Sequence, residues 1–457
     1  MRRRIMSSAD MTQGVIWRQM LLFFLPIMLG TFFQQLYNTV DAMVVGRFVG
    51  KEALAAVGGS ASTLINLLVG FFVGLSSGAT VIISQYYGAH DDQKMSRSVH
   101  TAIALSLVGG VIMMVLGIVF ARPMLIMLNT PPETLEDSVT YMTIYFVGII
   151  PALIYNVGTG ILRAVGDSKR PLLFLIVCCA LNIVLDLLFV VVFGMAVAGA
   201  AIATILSMFI SALLVLWSLT HAQQGYRLFL KKIRLDWALL RQVLAIGMPA
   251  GFQSVLYSLS NMLIQSNING FGTDAAAAWA TYGKIDGIYW MILSALGIAA
   301  TTFVGQNFGA GQIHRVHRSV RAAMVMSLIF SGVMSLTVHF GGRAFYAMFT
   351  TDEAVIQTGL KMMACITPFY CTYVAIEILS GAMRGVGESF GPMLLTCMGI
   401  CALRVGWLLA AVPLNPCVEM VAFSYPITWV ITSALFILYY LRGNWLKKRL
   451  PASTLPS

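Results

Sequence analysis

Charged side chains are scarce in this sequence. Asp, Glu, Lys and Arg together make up 10% of its 457 residues, whereas about a quarter of an ordinary soluble protein is charged. Apolar residues make up 58%, and the mean hydropathy is +0.83. A soluble domain of this composition could not cover its surface with polar groups. The composition therefore excludes a cytosolic enzyme, a nucleic-acid-binding domain and a secreted disulfide scaffold, and it leaves a polytopic helical membrane protein.

Motifs for nucleotide binding and metal catalysis are also missing. No GxxxxGK[ST] occurs and no GxGxxG follows a strand-like segment, so the chain is not predicted to hydrolyse ATP by itself. HExxH is absent, and the seven cysteines include no CxxC pair, which favours packing residues over a metal site. We therefore predict a protein that is not an enzyme and holds no cofactor. Any pumping would be driven by an ion gradient or by a separate subunit.

Twelve apolar stretches divide the chain. A membrane span and its loop together take roughly 35–40 residues, so a chain of 457 residues predicts about twelve spans. The alternation expected of a transmembrane β-barrel is absent, which makes α-helices the spanning element. Spans 1 to 12 are predicted at 17–45, 54–86, 98–121, 138–161, 171–193, 196–219, 238–268, 275–307, 320–341, 355–382, 390–412 and 418–441.

The basic residues are distributed unevenly between the two ends of these spans. Two of the 29 Lys and Arg lie within spans, 22 lie at one end, and five lie at the other, namely Arg47, Lys51, Arg122, Arg343 and Lys361. Positively charged loops stay on the cytoplasmic side of a membrane. We therefore predict a multi-pass protein of the cell inner (plasma) membrane with both termini in the cytoplasm. The net charge of +11 then reflects topology and predicts no nucleic-acid partner.

The second half of the chain repeats the first. ISQYYGAHDDQKMSRSV (83–99) aligns with VGQNFGAGQIHRVHRSV (304–320), and GILRAVGDSKRPLL (160–173) aligns with GAMRGVGESFGPML (381–394), both at an offset of 221 residues. The offset spans six helices, an even number, so both halves enter the membrane in the same orientation. We predict an all-α polytopic membrane protein with twelve transmembrane helices in two six-helix bundles, related by a pseudo-two-fold axis near the membrane normal. The bundles are an N-lobe (1–219) and a C-lobe (238–457), joined by a cytoplasmic linker (220–237).

Four polar side chains lie at similar depths in the first half. Asp41 and Asp186 lie towards the outer ends of spans 1 and 5, and Thr204 lies in span 6. Asn182 precedes Asp186 by four residues, which places both on one helix face. A charged group at membrane depth is costly and by default marks a functional site. The four residues predict a hard-oxygen site for Na⁺ or a carboxylate pair that shares a proton; a structural hydrogen-bond cluster between helices is the alternative.

The second half carries a different set of charges. Lys284 and Asp286 lie in span 8, Glu377 lies near the inner end of span 10, and Arg404 lies in span 11. Lys284 and Asp286 are two residues apart and do not share a helix face. A structural ion-pair cluster and a coupling network both remain open for this set.

Polar side chains also recur on spans 1 and 7, the first helix of each half. Side chains of this kind at lipid height should face a cavity. The 27 methionines and many aromatic residues would give such a cavity soft, polarisable walls suited to varied ligands. We predict a substrate cavity lined by Gln34, Tyr37, Asn38, Gln253, Tyr257 and Asn261.

The chain resembles the multidrug and toxic compound extrusion (MATE) family over about residues 12–445. The resemblance depends on PIMLGTFFQQLYNTVDAMVVG (26–46), the paired QYYGA (85–89) and VGQNFGAG (304–311), the paired RAVGDSKRP (163–171) and RGVGESFGP (384–392), and NIVLD (182–186). It is closest in kind to the DinF-like or MepA-like side of the family, which carries its acids in the first half. The resemblance implies export of mostly cationic, amphipathic compounds by H⁺ or Na⁺ antiport. It also implies an N-lobe cation site, whose pattern Asp41, Asn182, Asp186 and Thr204 match.

Two further functions are weighed against this one. A flippase for a lipid-linked saccharide or another lipid would need a cationic cleft, for which Lys284 and Arg404 are candidates, although the acidic first half argues against it. An intramembrane enzyme has no metal-ligand motif to support it. The expected partners are drug-like small molecules and membrane lipids, and a monomer is the default oligomeric state.

Overall fold

The structure is a computed structural model that describes residues 10–222 and 225–447. These ranges are helical and contain no strand. Eleven of their helices are long and apolar enough to cross a membrane, and a pair bent by 53°, Pro132–Val147 and Ile149–Ala164, makes a twelfth if it forms one span. The predicted all-α, polytopic membrane fold is confirmed. The predicted cytoplasmic termini at residues 1–9 and 448–457 lie outside the described residues.

Each predicted span coincides with one membrane helix or one broken helix. The first six are α1 (Ile16–Phe48), α2 (Lys51–Gly58 and Ser60–Gly88), α3 (Asp92–Met127), α4 (Pro132–Val147 and Ile149–Ala164), α5 (Lys169–Asp186, continued by the π-helical turn Leu187–Val192) and α6 (Ala196–Thr220). After the 3₁₀ turn Leu230–Lys232 come α7 (Trp237–Asn269), α8 (Thr273–Gly309), α9 (Ile313–Ala347), α10 (Glu353–Ile366, Thr367–Phe369 and Tyr370–Gly385), α11 (Phe390–Thr396, Cys397–Ala402 and Leu403–Ala410) and α12 (Val418–Ala422 and Ser424–Leu441), followed by Asn444–Lys447.

The internal repeat is visible in the backbone as well as in the sequence. Gly166 and Gly387, which are 221 residues apart, both follow a helix with positive φ, at 87° and 90°. Glycine adopts this left-handed conformation without a steric cost, which is why it commonly ends a helix. The same offset relates the break in α4 at Gly148 to the 3₁₀ turn that interrupts α10 at Thr367–Phe369.

By packing, the chain divides into two compact units. The N-unit contains Leu25–Gly251, and the C-unit contains Met11–Phe24 and the described residues from Phe252 onward. Two helices therefore contribute to both units, because α1 changes unit just before Pro26 and α7 changes unit two residues after Pro249. The sequence-based division differs from this one: it has lobes at 1–219 and 238–457 and a linker at 220–237. It stays a prediction of which parts of the chain move together.

Within the N-unit, α2 and the first half of α7 pack with their backbones in contact. Gly74 and Gly78 of α2 face Gly247 and Gly251 of α7, each pair four residues apart. A Cβ atom on Gly78 would lie 2.2 Å from the carbonyl oxygen of Val243. Small residues allow this kind of close approach between membrane helices. The α2 segment also spells GxSxG, but it lies inside a continuous helix and not at the strand-to-helix turn in which that motif exposes a nucleophile.

Candidate functional site

Two buried carboxyl groups meet in the N-unit. Asp41 of α1 is 8% exposed and Asp186 of α5 is 0% exposed, and the two carboxyl groups are neighbours. The hydroxyl of Thr204, on α6, lies 3.4 Å from Asp41 Oδ2 and 3.0 Å from the carbonyl oxygen of Ala200, to either of which it can donate. Asn182, fully buried, lies one turn before Asp186 on the same helix face. The structure thus brings Thr204 into contact with Asp41 and places Asp186 next to Asp41, with Asn182 one turn away.

Several polar atoms of this cluster have no hydrogen-bond partner among the described residues. They are Asp41 Oδ1, both carboxylate oxygens of Asp186 and both amide atoms of Asn182. The ion pairs formed by the described residues include neither aspartate. Buried polar groups in proteins are nearly always satisfied, and two buried like charges in contact repel each other strongly. A bound proton or cation would give these oxygens a partner and would also reduce the repulsion between the two carboxylates.

The local sequence explains how these side chains come together. The spacing NIVLD places Asn182 and Asp186 on one face of α5. Directly after Asp186 the helix continues as a π-helical turn, a local irregularity that is frequent at functional sites. On α6, Gly199 has no side chain, and a Cβ there would lie 3.1 Å from Phe189. The small residue at this place on α6 therefore lets α5 approach closely, while Thr204 of the same helix reaches Asp41 of α1.

Two tyrosines flank the carboxyl pair. Tyr37 is 5% exposed and belongs to a hydrophobic core cluster of the N-unit, against which Tyr141 of α4 also packs. Both lie within electrostatic range of Asp41. The sequence predicts Tyr37 as a wall of the substrate cavity, whereas its packing places it in the core beside the acids. Tyr141 was not singled out, because a single tyrosine in an apolar span carries no pattern that distinguishes it.

The other predicted cavity residues of α1 have exposed side chains. Gln34 and Asn38 are both exposed, and the amide of Asn38 donates to Gln35 at 3.5 Å. Their place in a substrate cavity stays a prediction.

The predicted cavity residues of α7 make contacts inside the C-unit. The side chain of Gln253 donates to Thr396 of α11 at 3.3 Å and is thereby held between two helices. The hydroxyl of Tyr257 shares a hydrogen bond of 2.9 Å with that of Tyr373 on α10. Tyr257 and Asn261, but not Gln253, line a cavity of about 470 Å³ within this unit.

The same cavity receives two of the four charges predicted for the second half. Asp286 accepts hydrogen bonds from the Tyr370 hydroxyl and the Trp290 indole, both at 2.5 Å. Arg404 is 2% exposed, and its guanidinium lies 4.1 Å from the ring centre of Tyr425. Both line the cavity, yet no ion pair joins them in the described part of the chain.

The other two charges lie elsewhere. Lys284 is exposed, with its ammonium 5.5 Å from the ring centre of Phe349. It points away from Asp286 because residues two apart on a helix face different directions. The carboxylate of Glu377 packs against Gly297 of α8, and it forms no ion pair with Arg384 in the described ranges. Among the described residues, the four charged side chains therefore do not form a single network.

No group of three or more His, Cys, Asp and Glu side chains within residues 10–222 and 225–447 is arranged to hold a metal ion. The Asp41 and Asp186 cluster offers carboxylate, amide and hydroxyl oxygens only, with neither nitrogen nor sulfur ligands. Such donors suit hard cations and protons and not soft transition metals.

A polytopic helical fold with polar clusters buried at membrane depth is typical of a secondary transporter. The model of the MatE family matches residues 26–188 and 249–408. The chain belongs to this family of multi-pass membrane transporters, the MATE family, whose members are not enzymes. The family predicted from the sequence motifs is confirmed.

Curated relatives cover nearly the whole chain. "Probable multidrug resistance protein YoeA" of Bacillus subtilis strain 168 is 28% identical over 446 residues, which are 95% of this chain and 95% of the relative. "FAD transporter" of Shewanella oneidensis is 23% identical over 405 residues, with 85% and 86% covered. Among solved structures, the outward-facing conformation of a multidrug resistance MATE family transporter of the MOP superfamily matches with a TM-score of 0.90 at 21% identity, covering 98% of this chain and 100% of that one. At this identity the structural match establishes the fold alone.

Proposed function

We propose that this protein is a cation-coupled antiporter that exports amphipathic, mostly cationic compounds by alternating access, with H⁺ or Na⁺ as the coupling ion. The observation that supports it most directly is the buried pair of Asp41 and Asp186, which forms no ion pair with a basic side chain in the described residues. The relative named as a probable multidrug resistance protein supports the substrate class.

The physical basis of the coupling is the charge of this pair. Two negative charges about 4 Å apart repel each other by about 4 kcal/mol at an effective dielectric constant of about 20. Binding one proton or one Na⁺ removes most of that repulsion. Because the pair joins α1 to α5 and Thr204 joins it to α6, the loaded and unloaded states favour different arrangements of these helices. Ion binding can then be linked to substrate release through that difference.

We further propose that the protein lies in the plasma membrane with both termini in the cytoplasm. The support is the asymmetry of the basic residues, of which five lie at the predicted outer ends, namely Arg47, Lys51, Arg122, Arg343 and Lys361. Fusion of a reporter that is active only in the cytoplasm to the C-terminus tests this orientation. An inactive reporter on a protein that reaches the membrane would contradict it.

The test of transport uses everted membrane vesicles and the fluorescence of ethidium, a planar cation. A Na⁺ gradient and a proton gradient are imposed separately on wild type, Asp41→Asn and Asp137→Asn. Asp137 is the matched control, because it is an exposed acid in the same unit and loses the same charge. We expect one gradient to drive ethidium uptake in wild type and in the control but not in Asp41→Asn. Since one relative is named an FAD transporter, FAD movement is measured in parallel.

Two results would contradict the proposal. Ion-driven uptake that persists in Asp41→Asn would remove the role given to the carboxyl pair. Absence of transport under both gradients would favour the alternative, a flippase for a lipid-linked saccharide. The side chains put forward for its phosphates do not come together, because Lys284 is exposed beside Phe349 whereas Arg404 is buried.

A further inference from the structure

The cavity of the C-unit is lined mainly by aromatic rings. Trp279 of α8 lies 5.8 Å from Tyr425 of α12, measured between ring centres, and Tyr425 lies 5.5 Å from Trp429. Trp429 is 5.9 Å from Trp290, which in turn is 4.7 Å from Tyr373. Contacts of this length are typical of packed aromatic pairs. The rings form a continuous wall, and the volume of about 470 Å³ lies in the range of small-molecule sites.

The cavity contains two charged groups. The carboxylate of Asp286 forms short hydrogen bonds, whereas the guanidinium of Arg404 forms only long ones among the described residues. Asp286 accepts one short hydrogen bond on each oxygen, at 2.5 Å. Among the described residues, Arg404 donates only to Asn261 at 3.4 Å and Thr428 at 3.5 Å, both beyond the usual range of about 2.7–3.2 Å. Its Nε has no partner in the described residues. The guanidinium of Arg404 therefore needs a hydrogen-bond acceptor in this cavity, and a negatively charged acceptor fits best.

The repeat gives this arrangement a second line of support. Asn261, Arg404 and Tyr425 follow Asp41, Asn182 and Thr204 by 220 to 222 residues, and the contacts of Arg404 with Asn261 and Tyr425 join them in the C-unit. The second half thus carries an arginine and no acid at the positions where the first half builds its acidic cluster. The cavity of the C-unit should therefore prefer ligands of negative charge, whereas the acidic cluster of the first half should prefer positive charge.

We propose that this cavity binds planar aromatic compounds that carry a carboxylate. The carboxylate pairs with Arg404, and the ring system stacks on the wall formed by Trp279 and Tyr425. A cation of the same shape is repelled by Arg404, and the oxygens of Asp286 are already engaged. The inference rests on the proposed export function only for the step from binding to transport, because binding itself needs no ion gradient.

The test is isothermal titration calorimetry on the purified full chain in detergent, without a gradient. The probes are 2-naphthoate, 2-naphthalenemethanol and 2-naphthylmethylammonium, which share one ring system and differ in charge. We expect 2-naphthoate to bind at least about tenfold more tightly than the alcohol, since a charged hydrogen bond contributes about that much. The ammonium should bind most weakly. Tighter binding of the ammonium, or equal binding of acid and alcohol, would overturn the proposal.

Variants separate the two parts of the site. Arg404→Gln should remove the preference for the acid, Arg404→Lys should keep part of it, and Trp279→Ala should weaken the acid and the alcohol alike. Arg343→Gln is the control, because Arg343 forms an exposed ion pair with Glu353 in the same unit. A folded Arg404→Gln that still prefers the acid would contradict the assignment. If that variant does not fold, the probe series on wild type and Arg404→Lys still decides. A failure of vesicle transport would leave these binding results unaffected.

Discussion

Replacing Asp186 with Asn is expected to stabilise the protein while abolishing transport. Asp186 is fully buried, and neither of its carboxylate oxygens has a hydrogen-bond donor in the described residues. Asn has nearly the same shape, carries no charge and adds an NH₂ group beside the carboxylate of Asp41. Most substitutions of a buried residue destabilise a protein. The opposite sign is expected here, because on the function proposed above the side chain that is removed serves ion binding at the expense of stability.

The size of the effect follows from the contacts of the pair. A hydrogen bond from the new amide to the charged carboxylate of Asp41 would contribute about 1.5–3 kcal/mol. The second N–H of that amide, if it finds no acceptor, offsets about 1 kcal/mol or more of this gain. The repulsion between the two carboxyl groups is not added to this sum, because a bound proton or cation already relieves it in wild type. We expect a net gain of about 1–2 kcal/mol, which for a chain of 457 residues corresponds to an apparent melting temperature raised by about 1–2 °C.

The assay is thermal unfolding of the purified protein in detergent, followed by tryptophan fluorescence at several Na⁺ concentrations. If Na⁺ is the coupling ion, wild type gains about 2.7 kcal/mol at a concentration 100 times the Kd, and Asp186→Asn gains little. If H⁺ is the coupling ion, added Na⁺ leaves both melting temperatures unchanged. Asp137→Asn, which removes an exposed charge, should behave as wild type throughout. A less stable Asp186→Asn that still transports would refute the account of the pair.

Three more predictions concern other parts of the N-unit. Gly247→Leu should lower the yield of folded protein or its melting temperature by several degrees, because a Cβ there would lie 2.2 Å from a backbone oxygen of α2; Gly287→Leu, with nothing within 4 Å, is the control. Tyr141→Phe should slow ion-driven transport without lowering the melting temperature, whereas unchanged rates would exclude the hydroxyl from the site. Burial acts to raise the pKa of Asp236, but the hydrogen bonds from Arg97 and two backbone N–H groups outweigh it and hold that pKa below its usual range. The ion pair therefore stabilises the fold above about pH 4 and loses its effect as the pH falls further, so melting curves of wild type and Arg97→Gln should converge in acid.

The sequence predicts the helices well because apolar length is a strong local signal. The ends of the helices are less visible to it, since a helix continues into polar residues once it has left the apolar layer. Thus α3 begins at Asp92, where the Asp91 side chain accepts a hydrogen bond from the Lys94 N–H, six residues before the predicted span. Hydropathy alone cannot detect such a cap.

The two candidate sites differ in how far the sequence predicts them. Asp41 and Asp186 are conspicuous, because a charge at membrane depth is rare and few acids are available. The aromatic wall of the C-unit is not, because Trp279, Tyr425 and Trp429 are three of many aromatic residues in an apolar chain. Only the packing of α8 against α12 brings Trp279 to the other two. The sequence shows that Lys284 and Asp286 face different directions, but it does not show which of them faces the cavity, because that depends on which side of α8 packs inside the C-unit.

The duplicated fold supplies each half with an equivalent position, and the two halves use it differently. Asp41 on α1 and Asn261 on α7 occupy matching places, yet the first lies beside a second acid and the second lies beside Arg404. On the assignments proposed above, a cation and an organic anion would each neutralise a buried charge that forms no ion pair among the described residues of its own unit. Both helices also extend into the other unit, since α1 contributes residues up to Phe24 to the C-unit and α7 contributes residues up to Gly251 to the N-unit. Any coupling between the two occupancies must be reciprocal.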